Sequence, residues 1–142
     1  MTFTNNDDQL RKPIPSLTLT LFVWFHRIIA SGSLYLGVNY WISLIGIHPG
    51  NLGRFDLMPV YWQASATSLA VLFPVAAIGL WTVVSWGPVI WVVAALGECI
   101  MYIGFPELFG SRDVVLLAHG FVALLYLIFR LVLYREHQIA AR

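Results

Sequence analysis

SWGPVIWVVAALGECIMYIGFPELFG, residues 85–110, decides how the chain is read. It opens on a Gly87-Pro88 turn and reaches Pro106 with Glu98 as its single charge on the way. An apolar run of about twenty residues matches the hydrocarbon thickness of a bilayer. A lone carboxylate near the middle of such a run needs a partner or a cavity, because an isolated anion in lipid is costly.

Composition extends this reading to the whole chain. Of 142 residues, 59% are apolar and 11% charged, with a mean hydropathy of +0.78. Soluble domains carry about 25% charged residues, so lipid rather than water must face most of this surface. A single domain is expected. A net charge of +1 and no basic run longer than Arg11-Lys12 point away from a nucleic-acid partner. The lone cysteine, Cys99, excludes an internal disulfide and any paired-thiol chemistry. The apolar stretch after residue 16 runs well beyond the hydrophobic region of a cleavable signal, so an uncleaved signal anchor is expected.

In chain order, residues 1–16 form a polar tail ending in Pro13 and Pro15, and residues 17–134 an all-α membrane domain. Its four spans are expected at about 28–47, 64–84, 89–105 and 114–134, with a basic tail at 135–142. Leu17–Ile47 as one helix would be ~46 Å long, more than a ~30 Å hydrocarbon core takes even with tilt. A corner at His26-Arg27 is therefore expected, with Leu17–Phe25 in the headgroup layer. Ser33 and Gly37, four apart, give the first span a face that a second helix can approach closely. Pro74, near the middle of the second span, leaves the Ala70 carbonyl without its helical donor and should bend the helix. Residues 85–88 make a tight hairpin, and Asp113 is placed to cap the fourth span.

With four spans both termini share one side. That side holds Arg11, Lys12, Arg27, Arg130, Arg135 and Arg142, against Arg54 and Arg112 on the other. The bias places both termini in the cytoplasm, with Arg27 and Arg130 as anchors at that face. Trp24, Trp41, Trp62, Trp86 and Trp91 fall near expected span ends and read as interfacial belt residues.

Glu98 is the first candidate for chemistry. It is either a hydrogen-bonded carboxyl that fixes helix packing or a proton-handling group in a transport path. His119, about six residues inside the fourth span, matches it in depth to within a turn, and the two spans are joined by a short loop. A Glu98–His119 pair is therefore expected, with Arg130 as the competing partner. Arg54 and Asp56 flank Phe55 in the outer loop and form either a docking patch or a solvated pair. His26 and His119 lie roughly 20 Å apart in depth, which argues against a bis-histidine haem. No metal-ligand spacing, nucleophile elbow or phosphate loop appears, so no cofactor and no catalytic residue is expected.

The segments FVWFHR (22–27), RFDLMPVYW (54–62), LAVLFPVAAIGLW (69–81) and SWGPVIWVVAALGE (85–98) together resemble a family of small four-span membrane proteins of alphaproteobacteria, classed as a domain of unknown function. The resemblance covers most of residues 17–134. It implies a bacterial inner-membrane protein and carries over no activity or site residue. Two functions follow as expectations. One is an accessory, assembly or interaction subunit of a larger membrane or envelope complex, whose partners are the bilayer and other membrane proteins or a second copy. The other is a small-molecule or proton-coupled transporter using Glu98 and His119. A polar, water-reachable cavity beside Glu98 favours the transporter, and a dry bundle with apolar or small-residue outer faces the subunit. An enzyme acting on quinone or lipid stands third.

Overall fold

In a computed structural model, residues 17–47 and 55–140 are described. Four long helices are α1 (Leu17–Ile45), α2 (Val60–Trp81), α3 (Trp86–Cys99) and α5 (Asp113–Ala140). A 3-10 turn at Phe55–Leu57 precedes α2, a π turn at Ile100–Gly104 extends α3, and a one-turn α4 (Pro106–Phe109) leads to α5. Among the described residues there is no strand. α1, α2, α3 with its π turn, and α5 are each long and apolar enough to cross a membrane. The chain is a bundle of four transmembrane helices, because segments apolar nearly all round satisfy their backbone internally and leave their side chains to lipid.

The expected corner at His26-Arg27 is not there. α1 runs unbroken through both residues, because each finds partners alongside the helix. His26 is buried and its Nδ1 contacts the Phe22 carbonyl one turn back, at 3.0 Å. The Arg27 guanidinium lies against the rings of Trp24 and Trp81, at 5.6 and 5.7 Å. Arg27 Nε is buried without a hydrogen-bond partner, but the two rings hold the guanidinium beside the helix and the chain does not turn.

α1 and α2 form the closest pair. A Cβ on Gly37 would lie 2.6 Å from Pro74 Cδ, so the bare glycine lets the proline ring sit on the α1 backbone. The Ala70 carbonyl freed by Pro74 accepts a hydrogen bond from the Trp41 indole N–H at 2.8 Å, so the vacancy left by proline is filled from the neighbouring helix. α2 begins at Val60, four residues before the expected start, and the following turn falls at 82–85 rather than 85–88. Val83 adopts φ 55 in that turn. Trp86-Gly87-Pro88 belongs to the first turn of α3, where proline is tolerated. Gly87 there meets Gly79 so closely that a Cβ would lie 2.4 Å from the Gly79 carbonyl carbon.

α5 differs from the rest. Only 6% of its apolar window is buried within the chain, against 44% for α2. Asp113 is its first helical residue rather than its cap; the Arg112 carbonyl accepts from the Val115 and Leu116 amides. α5 continues to Ala140 through most of the expected tail. The Thr18 hydroxyl donates to Glu136 Oε1 at 2.6 Å, joining the start of α1 to the end of α5. Phe22 and Phe25 meet Phe129 just inside that contact, and His26 meets Tyr126. This end of the bundle is called the terminal end, and the opposite one the loop end.

Candidate functional site: a buried carboxyl beside a loop-end cavity

α3 carries Glu98 into the middle of the bundle, where it is wholly buried. The expected partner is in place: His119 Nε2 stands 3.6 Å from Glu98 Oε2. Arg130, the competitor, is exposed on α5. A partner not foreseen comes from α1, where the Tyr40 hydroxyl donates to Glu98 Oε1 at 2.5 Å.

The remaining contacts of His119 fix what this pair can hold. Its Nδ1 lies 2.8 Å from the Val115 carbonyl. A carbonyl only accepts, so Nδ1 carries the hydrogen. Neutral His119 therefore turns an unprotonated Nε2 toward Glu98. Facing an ionised Oε2, that would set two lone pairs against each other in a buried space, at a cost neither solvent nor lipid relieves. The arrangement is complete when one proton lies between carboxyl and imidazole. At 3.6 Å the two atoms stand just beyond hydrogen-bond length, and Oε2 and Nε2 are both buried without a hydrogen-bond partner. His119 is held in place by Trp91, whose ring lies parallel at 5.7 Å, and by Phe73 at 6.1 Å. Trp91 is thus a buried packing residue and not part of the interfacial belt.

The π turn follows Cys99 directly and buries both Met101 and Tyr102. Such turns are rare and concentrate at functional sites. The Tyr102 hydroxyl reaches toward Tyr40 without completing a hydrogen bond. Arg112 lies with its guanidinium 5.8 Å from the Tyr102 ring centre. Both Tyr40 and Arg112 line a cavity of about 400 Å³ toward the loop end, together with Asn39, Ser43 and Trp62. Glu98 is not in its wall; Tyr40 is the link between them.

The other expected residues lie elsewhere. Arg27 and Arg130 are remote from the Glu98 cluster, Arg27 being held between Trp24 and Trp81. Asp56 is exposed in the 3-10 turn, while Arg54 lies outside the described residues, as do His48 and residues 1–16. His26 packs on Tyr126, seven residues along α5 from His119, or ~10 Å of helical rise. Among the described residues no three His, Cys, Asp or Glu side chains converge as a metal set. Tyr40 and Tyr102 are not singled out by the sequence and Arg112 enters only as an outer-loop charge, though helical spacing marks them: Ser33, Gly37 and Tyr40 share a face, and Tyr102 follows Glu98 by four. Arg112 precedes His119 by seven, two turns away.

Fold and cluster define a small four-span membrane protein with a buried polar centre. The chain belongs to a family of unknown function, DUF6163, which matches residues 20–137 and so includes Tyr40, Glu98, Tyr102, Arg112 and His119. No curated protein and no solved structure matches it.

Proposed function

We propose that this protein is a small-molecule carrier of the bacterial inner membrane that holds an exchangeable proton on the Glu98–His119 pair. The observation that carries the reading is Tyr40, which donates to the buried carboxyl and also lines a cavity that Asn39, Ser43 and Arg112 share. Ligand occupancy can thereby act on the proton through one side chain. The Lys/Arg bias supports cytoplasmic termini, an orientation in which the cavity opens toward the outside. Reporter fusions after Glu136 and near Gly110 check that orientation: cytoplasmic at the first, external at the second.

The reading is tested by comparing the small-molecule and lipid profiles of cells expressing wild type, Glu98→Gln or an empty vector, at matched membrane levels. One solute class should change with wild type and return to the vector level in Glu98→Gln. Identical profiles for all three would remove the carrier reading.

One observation favours the accessory-subunit reading. α5 leaves Leu117, Phe121, Leu124 and Leu131 exposed along its length, a surface for another membrane helix as well as for lipid. Under that reading a defined partner co-purifies in mild detergent, and substitutions on this face release it while the Glu98 variants do not.

A further inference from the structure

The loop-end cavity is one half of a longer groove. A second cavity, of about 340 Å³, lies next to it between α1 and α5, with walls from Gly32, Trp91, Ala118, His119 and Val122. The two share Tyr35, Leu36 and Val115. Along α1 the combined lining runs from Ile28 to Ser43, ~22 Å of helical rise.

The halves differ in chemistry. The loop-end half presents Arg112, Asn39, Ser43 and Tyr40, whereas the deeper half is apolar apart from Ser33 and His119. Arg112 forms no ion pair with a carboxylate among the described residues; its guanidinium lies by the Tyr102 ring, within electrostatic reach of the Glu98 carboxyl. A cation at the membrane boundary above an apolar slot between two helices is complementary to a particular ligand shape. We infer that the α1–α5 groove binds a single-chain anionic amphiphile of the fatty-acid class, with its carboxylate at Arg112 and its chain running past His119 toward Val122. The deeper half lies mainly between α1 and α5, with Trp91 of α3 at its back, and Trp62 and Ala66 of α2 close the loop-end half. Arg112 stands directly before the α5 span, at the level where an amphiphile in a bilayer places its head. The inference rests on the carrier reading for its purpose and names the ligand class.

Binding is read as tryptophan quenching by spin-labelled stearate, using the full-length protein in phosphatidylcholine vesicles. Saturable quenching should be displaced by palmitate and not by methyl palmitate, which lacks the charge. Arg112→Gln should weaken palmitate about tenfold, the equivalent of ~1.4 kcal/mol. Gly32→Leu supplies a second, independent variant. A Cβ at Gly32 meets nothing within 4 Å, so the larger side chain fills the deep half without forcing the backbone. It should abolish palmitate binding and spare octanoate.

Non-saturable quenching, equal competition by the methyl ester, or equal displacement by a two-chain anionic phospholipid would overturn the inference. If palmitate fails to bind while Glu98→Gln still alters another solute class in cells, the ligand assignment alone falls. If palmitate binds as described but Glu98→Gln is silent in cells, the site stands and the carrier reading falls.

Discussion

The two faces of α1 are built on opposite plans. Toward α2 it is close around Gly37, which takes the Pro74 ring against its backbone, with Trp41 satisfying the Ala70 carbonyl and Ala30 packing with Ala76 and Leu80. A cavity of about 270 Å³ there, beside Pro74 and Trp81, is almost wholly apolar. Toward α5 it is closed only at the terminal end, by the Thr18–Glu136 hydrogen bond and the aromatic group around His26. At the loop end the same interface parts into two adjoining cavities, one of them walled also by Trp62 and Ala66 of α2. The two buried histidines repeat the contrast. Each places Nδ1 against the carbonyl four residues back, Phe22 for His26 and Val115 for His119. His26 is surrounded by aromatic rings, while His119 faces a carboxyl. The same local device sets an imidazole among aromatic rings at one end and beside a buried carboxyl at the other, and the neighbour across the interface decides which.

The close face should break most severely. Gly37→Leu drives a side chain into the Pro74 ring and should cost ~3 kcal/mol through overpacking, read as loss of the folded fraction in detergent unfolding. Glu98→Leu comes next, at about 2 kcal/mol, because the Tyr40 hydroxyl and His119 Nε2 are left facing apolar groups. Glu98→Gln should be far milder: its amide can accept from Tyr40 and donate to Nε2, keeping both contacts without the exchangeable proton. Equal losses for Leu and Gln would show that charge, not hydrogen bonding, holds the cluster. Trp41→Phe should cost ~1 kcal/mol, and less than half of that in a Pro74→Ala background, where the Ala70 carbonyl regains its helical donor. A cycle without coupling would dissociate the indole bond from the proline. The smallest effect is expected at the aromatic end, where His26→Phe replaces one flat ring by another and should stay within ~1 kcal/mol. A larger loss would make the two histidines alike and remove the contrast.

The sequence makes the close face legible because its causes are local. Small residues four apart and a mid-span proline each have one main physical consequence: Gly37 and Pro74 are found at the α1–α2 contact, and Ser33 is buried one turn before Gly37. The Glu98–His119 approach was legible for a similar reason, since two rare polar residues at equal depth on adjacent spans have few alternatives. Tyr40 and Arg112 were harder to see. A tyrosine in a span and an arginine in a loop are ordinary alone, and only the helix crossing brings them to one cavity. The break expected at His26-Arg27 failed because depth was inferred from polarity, whereas His26 contacts the Phe22 carbonyl one turn back and the Arg27 guanidinium is held by Trp24 and by Trp81 of α2.

The central claim is that Glu98 holds a proton in contact with the cavity. Infrared difference spectroscopy of the protein in lipid, recorded on adding palmitate, reads it most directly. The account predicts a carboxyl band that changes on ligand addition, shifts in Tyr40→Phe and is absent in Glu98→Gln. A carboxyl signal that vanishes in Glu98→Gln yet responds neither to ligand nor to Tyr40→Phe would contradict it, and would leave Glu98 as a packing group alone.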